Sequence, residues 1–179
     1  MVRRLIVRRR RDQRGVVLVE FAIIVPLVVL LAFGIIEFGT VYNNEIAVRQ
    51  GVREAARAGT VANWGNTTSC NLHGSTGAST DIQELMCTAK NRVGLSSSSL
   101  YVMVSFDSSY TLGQGLIVCV QAPIHSATGL FAPLLNGNFY KTKVEMSIEK
   151  TTGTETGGSE DVSGISGSWS WCTGSNPSP

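Results

Sequence analysis

The residues most capable of chemistry lie near the start of the chain, in Arg14-Gly15-Val16-Val17-Leu18-Val19-Glu20-Phe21. A glycine, an aliphatic run and one carboxylate in this order suit proteolysis at a membrane face. Gly15 has no side chain and wide backbone freedom, so a protease can hold the bond to Val16 in an extended form. A cut there makes Val16 the first residue and Glu20 the fifth. It also creates an α-amine in apolar surroundings, where it needs a partner. Glu20 of the same or a neighbouring subunit can supply one. Because an unpaired acid in lipid is penalised, such a pair would fix the axial stagger of packed subunits. The plainer reading of Glu20 is an acid that snorkels to the interface. There it costs less than the ~2.5 kcal/mol or more of a charge at mid-bilayer.

Four cysteines form the second chemical group: Cys70, Cys87, Cys119 and Cys172. All follow the apolar segment described below, and in an oxidising compartment an even set of four points to two disulfides. Three pairings are possible. The favoured one joins Cys70 to Cys87 and Cys119 to Cys172, tying a loop to a helix and the tail to a sheet. A zinc site is the alternative, but no two cysteines have the short spacing of metal ligands. His73 and His125 are isolated from acids in the sequence, the serines lie in low-complexity stretches, and Gly113-x-Gly115 reads as a hairpin turn rather than a phosphate loop. The expectation is a chain without catalysis, cofactor or metal.

The element that must carry Gly15 and Glu20 is a membrane helix. From 16 to 36 the only charge is Glu20, and 21 residues make ~31 Å of helix, enough for a bilayer core of ~30 Å. A cleaved secretory signal would have a shorter apolar stretch of ~7–15 residues, and the A-x-A sequence Ala56-Arg57-Ala58 lies too far downstream. A buried core helix would leave the basic flank unexplained, and an uncleaved anchor remains an alternative. Seven of the fifteen basic residues fall in the first fourteen positions: Arg3, Arg4, Arg8, Arg9, Arg10, Arg11 and Arg14. They orient the span with its N-terminus in the cytoplasm. The rest of the chain carries 8 basic against 12 acidic side chains, so no basic surface remains for nucleic acid.

The stretch 15–59 resembles the TadE-like family of the tight-adherence (Tad/Flp) pilus system. The matching residues are Arg14-Gly15, Glu20-Phe21-Ala22, Pro26, Gly34-Ile35-Ile36-Glu37-Phe38-Gly39 and Glu54-Ala55-Ala56-Arg57-Ala58-Gly59. They cover about a quarter of the chain. The resemblance implies a minor pilin or pseudopilin, cut by an aspartic prepilin peptidase and taking part in pilus assembly or secretion. Its partners would be that peptidase, other pilin and minor pilin subunits, the inner-membrane assembly platform and membrane lipid. The cleavage site would be Gly15 and Val16, with Glu20 and Phe21 serving processing and assembly. Pro26 removes an N–H and frees the carbonyl of Ala22, so a kink or local melting is expected there. Glu37 marks the outer end of the span. A type II secretion pseudopilin is a second reading, against which Pro26 and the 34–39 cluster speak.

Beyond the span, 44–58 reads as a continued helix. Ile46, Val48, Val52, Ala55 and Ala56 line its apolar face, Arg49, Arg53 and Arg57 form a solvated stripe, and Gly59 is the C-cap. A second helix is expected over 82–93 after Thr80-Asp81, with Ile82, Leu85, Met86, Ala89 and Val93 inward. Strands are expected over 100–106, 116–122 and 139–150. Between the last two lies a loop with an apolar patch, Leu130-Phe131 and Leu134-Leu135. The fold class is therefore α+β and pilin-like, a long transmembrane and stalk helix packed on a small antiparallel sheet with a second short helix. The expected divisions are a basic leader 1–15, a transmembrane helix 16–42, a stalk 43–59, an extracytoplasmic domain 60–150 and a Gly/Ser/Thr-rich tail 151–179. Trp169-Ser170-Trp171-Cys172 is expected to dock the tail on the domain. The chain would be a single-pass membrane protein with its C-terminal domain periplasmic or extracellular, or part of a pilus. The competing class is an unprocessed, membrane-anchored binding module.

Overall fold

The computed structural model describes residues 14–65, 70–96, 99–165 and 167–173, without the side chain of Arg14. Residues 1–13 of the expected leader and 174–179 of the tail lie outside the described residues.

The chain begins with one α-helix, α1 (Arg14–Thr60), of 47 residues and ~70 Å. Expected span and stalk are thus one element. Over 16–36 the side chains are aliphatic or aromatic apart from Glu20, and a helix satisfies its backbone groups within itself, as lipid requires, save the Ala22 carbonyl opposite Pro26. Farther on, Val48, Val52, Ala55 and Ala56 are fully buried at helical spacing, while Ile46, expected on this face, is 42% exposed. Arg49, Arg53 and Arg57 are exposed, with Arg49 bonded to Glu45 at 2.6 Å. Gly59 is not the cap: the helix continues to Thr60, and Gly59 packs against Leu85 and Leu116. The left-handed position falls instead on Ala62 at φ 54, where Asn63 N–H donates to the Ala58 carbonyl at 2.9 Å.

Helix α2 (Thr80–Val93) lies against α1. Its five expected inward residues are all buried, and Gly94 closes it at φ 72. The two helices approach so closely at Gly51 that a Cβ there would sit 2.7 Å from the Val93 backbone. No side chain fits that contact without moving a helix.

Strands β1 (Tyr101–Phe106), β2 (Gly115–Pro123), β3 (Phe139–Ser147) and β4 (Gly158–Ser159) form an antiparallel sheet in the order β3-β2-β1-β4. Gly113, at φ 81, lies in the β1–β2 turn as expected. A one-turn helix, α3 (Ala132–Leu135), lies between β2 and β3. The tail adds a 3-10 turn (Ser163–Ile165) and a short helix, α4 (Ser170–Thr173).

The centre of the sheet is covered on both faces, and β2 shows this most directly. Leu116, Val118, Val120 and Ala122 point into the core formed with α1 and α2. The alternate residues Ile117 and Cys119 face the tail, where Cys172, Trp169 and Trp171 pack on them with Met103 of β1. A period of two with apolar residues on both sides is the pattern of a strand buried on both faces. The sulfurs are bonded as favoured, Cys70 to Cys87 and Cys119 to Cys172, with Cα atoms 5.4 and 6.1 Å apart. The second bridge crosses 53 residues of chain. In the chain-entropy account it stabilises by about 4 kcal/mol, against about 3 for the shorter loop. No thiolate is left for zinc.

Beneath the tail lies a buried ion pair that the sequence reading missed. Lys90 Nζ of α2 meets Glu160 Oε1, just past β4, at 2.6 Å, with both side chains fully buried. Lys90 also donates to the Asn71 carbonyl at 2.5 Å. Glu160 accepts the backbone N–H groups of His73 at 2.6 Å and Val102 at 2.7 Å. His73 is therefore not isolated: its Nδ1 lies 3.2 Å from Glu160, and its ring stacks on Tyr101 with centroids 4.5 Å apart. Burial pulls the Lys90 ammonium below its ordinary range, and Glu160 opposes that pull. One carboxylate thus fastens the tail to α2, to β1 and to the loop at 71–73.

Two predictions arise from this packing. Glu160→Leu strands the Lys90 charge and both N–H donors, and should cost about 3–5 kcal/mol in denaturant unfolding of the detergent-solubilised chain. Lys90→Met, which leaves the carboxylate its two N–H donors, should cost less, and the double variant should recover only part of the loss. Equal losses for the two single variants would contradict this account. Tyr110 gives the second. Its hydroxyl donates to the Lys150 carbonyl at 2.9 Å and the Gly59 carbonyl at 3.3 Å, and burial pushes its pKa up to about 12. Tyr140 is raised by burial as well. A phenol that folding keeps protonated lends stability that is full below its unfolded value near 10 and is lost as pH climbs through the folded one. Thermal stability should therefore fall between pH about 10 and about 12, and Tyr110→Phe should flatten that decline in melting curves.

Candidate assembly site on the N-terminal helix

The first half of α1 has almost nothing packed on it. Exposure is 68% at Val16, 70% at Leu18, 66% at Phe21, 72% at Ile23 and 64% at Leu27. With Val17 and Val19, each 63% exposed, they lie all round the helix, so apart from Glu20 it is apolar over its whole circumference. Fully buried α1 side chains begin only at Glu37. This is the one helix among the described residues long and apolar enough to cross a membrane.

Within this surface the structure places the expected residues as follows. Gly15 and Val16 occupy the first turn of α1, with nothing within 4 Å of a Cβ placed on Gly15. Glu20 is exposed, and its helical neighbours at three and four residues are Val16, Val17, Ile23 and Ile24. No hydrogen bond or ion pair of the described chain reaches it. Val16 N lies one turn before Glu20, a rise of ~6 Å. Phe21, the next residue along the helix, is likewise exposed. Helix α1 runs through Pro26 without interruption, so the chain does not melt there. Gly39 is open, whereas Gly34 faces the ring of Phe131, 3.7 Å from a Cβ placed there.

Glu37, read from sequence only as the end of the span, has a full set of partners. Its carboxylate accepts the N–H of Ala127 at 2.8 Å, the N–H of Thr128 at 3.0 Å and the Thr128 hydroxyl at 2.8 Å. These donors belong to the β2–β3 loop, which also sets Phe131 against Phe38, the rings tilted and their centroids 6.0 Å apart. The available signal was the acid at the edge of an apolar run, which must find donors somewhere. The small polar residues at 126 and 128 were the candidates. His125 is exposed in the same loop. Among the described residues no group of acids, histidines and cysteines could hold a metal ion.

The arrangement can therefore do one thing chemically. It presents a carboxylate, without a partner among the described residues, on an apolar helix whose far half is locked into a folded domain. Comparison with known proteins bears on this segment. Residues 15–57 match the family model described as TadE-like protein. No curated protein and no solved structure matches the chain. The matched residues begin at Gly15 and end three residues before α1 does, so the likeness lies wholly on the helix that carries Glu20.

Proposed function

We propose that the chain is a structural subunit, a minor pilin or pseudopilin, of a Tad-type pilus or secretion assembly. A prepilin peptidase cuts it between Gly15 and Val16. The first half of α1 anchors it in the cell membrane, with the N-terminus cytoplasmic and the domain outside, and joins it to other pilin subunits and to the inner-membrane platform. Glu20 meets the new Val16 amine of its own or an adjoining copy, Phe21 packs beside that contact, and Pro26 bends the helix where a neighbour can serve the freed Ala22 carbonyl.

The observation that carries this reading is the state of Glu20. An acid on an apolar, uncovered helix has no partner among the described residues, and a charge in lipid is tolerated when it is paired or has a route to water. Cleavage after Gly15 creates the complementary charge one turn away. The TadE-like match over the same residues supports the pilus setting. The chemistry asked of the protein is association alone, so no catalytic group is needed.

Intact mass and N-terminal sequencing of the protein from cells with an active prepilin peptidase should give Val16 as the first residue, and a retained leader in cells lacking the enzyme. Glu20→Ala should leave the membrane level of the protein unchanged while co-purification with other pilin subunits falls by tenfold or more, roughly 1.4 kcal/mol of pairing. A leader retained in the presence of the enzyme would instead identify an unprocessed, membrane-anchored binding module.

A further inference from the structure

The segment between β2 and β3 is unlike the rest of the domain. Residues 124–140 include no Asp, Glu, Lys or Arg. The segment exposes Leu130 at 54% and Leu134 at 72%. Such side chains in a water-facing loop leave an apolar patch uncovered. This patch is not at a random place. Phe131 reaches α1 at Gly34, inside the apolar run, three residues and a rise of ~4.5 Å before Glu37. On α1 the neighbouring Ile35 and Phe38 are 74% and 60% exposed, so the patch on the loop is continuous with the uncovered half of the helix.

The backbone of the segment is also arranged for an apolar setting. Leu134 and Leu135 N–H groups donate to the Phe131 carbonyl, both at 3.0 Å, and Asn136 N–H donates to the Ala132 carbonyl at 2.9 Å. Asn138 caps the turn from the other side: its side-chain amide donates to the Leu134 carbonyl at 3.0 Å and the Leu135 carbonyl at 3.3 Å. Pro133 has no N–H to satisfy. Two more N–H groups, of Ala127 and Thr128, are taken by Glu37. Lipid-facing backbone must find its partners within the protein, and this segment finds most of its own. At its end Lys141 sits over the Phe139 ring, 5.9 Å from the centroid. A cation on an aromatic ring at that point suits the headgroup layer.

We propose that residues 130–135 form a second membrane contact: this loop sits in the extracytoplasmic interface of the bilayer beside α1, with Leu130, Phe131 and Leu134 among the upper acyl chains. The inference rests on the reading of α1 as a membrane anchor. Its consequence is orientational. A single helix leaves its domain free to tilt, whereas a loop pinned to α1 through Glu37 and immersed on one side holds β2 and β3 in a fixed attitude to the membrane.

The test uses the full chain, disulfides intact, in vesicles of phosphatidylethanolamine and phosphatidylglycerol. An environment-sensitive fluorophore is attached at Leu134→Cys, at Leu130→Cys as a second position, and at two references. Leu112→Cys lies in the β1–β2 turn and is 64% exposed, at the opposite end of β2, about 27 Å away. Leu27→Cys lies within the apolar half of α1. The expected result is blue-shifted emission at 134 and 130, lost when the lipids carry a nitroxide high on the acyl chain, with neither effect at 112. Emission at 134 and 130 matching that at 112 overturns the proposal. So does a blue shift that lipid nitroxides do not quench, which would mean protein, such as a second copy, covers the loop. Quenching at 27 by nitroxides deep in the chains separates the two failures. With it, only the loop contact is lost. Without it, the anchor itself is wrong.

Discussion

One constraint governs this molecule: a single helix has to serve two surroundings. The first half of α1 is apolar on every side and gets almost no cover from the described residues. The second half places Val48, Val52, Ala55 and Ala56 at zero exposure in the domain core. Nothing in helical hydrogen bonding separates the two halves, since the helix is continuous from Arg14 to Thr60. What separates them is the point at which the domain begins to pack, and that point is Glu37. The sheet and α2 pack upon the far half, so α1 supplies one wall of the domain core. A force or tilt applied to the anchor is therefore transmitted to β2 and β3 through packed side chains rather than through a linker.

The tail illustrates how a segment of poor composition is made to fold. Residues 151–179 are rich in Gly, Ser and Thr, and apolar burial alone would not order the described part, 151–165 and 167–173. Three fixings compensate. Gly158 and Ser159 pair with β1, Glu160 enters the buried pair with Lys90, and Cys172 is bonded to Cys119 at the centre of β2. Glycine is needed at 158, because a Cβ there would lie 2.5 Å from the Ala78 backbone nitrogen. The buried pair is weak as a source of net stability, since two desolvated charges repay little beyond their own cost. Its value is in specificity. With Lys90 buried beneath it, the segment after β4 has one placement that leaves no unpaired charge.

These features divide by how far they could be read from the chain. The span, the second helix with its five inward residues, the three longer strands and both disulfides were legible, because each rests on local periodicity or on the arithmetic of cysteines. The fourth strand was not. Two residues, Gly and Ser, have no alternation to detect, and their pairing is set by β1 and by the tie at Glu160. The role of Gly59 was misread because glycine at the end of an apolar pattern suits both a cap and a close contact. Leu85 and Leu116 decide for the contact, and the left-handed turn moves to Ala62. His73 looked isolated because its acid is 87 residues away. Of the candidate site, the positions of Gly15, Val16, Glu20, Phe21 and Pro26 on one helix were legible, while the donors that satisfy Glu37 are tertiary and were not.

Two acids on α1 bear on assembly. Glu20 and Glu37 are 17 positions apart on the same helix, and both border or enter the apolar run. The chain deals with them differently. Around Glu37 it folds a loop that brings two backbone N–H groups and a hydroxyl to the carboxylate, so that acid is hydrogen-bonded within the fold and can serve as a fixed joint. For Glu20 it provides only valine and isoleucine at the neighbouring helical positions. A fold that can satisfy one such carboxylate internally has the means to satisfy a buried acid. Leaving the other bare places its partner outside the folded domain, either in water at the interface or on a group that appears when the chain is cut and packed. The snorkelling alternative would ask nothing of Val16. The pairing account requires an amine there, and so makes the bond between Gly15 and Val16 the step that turns an expensive residue into a specific one.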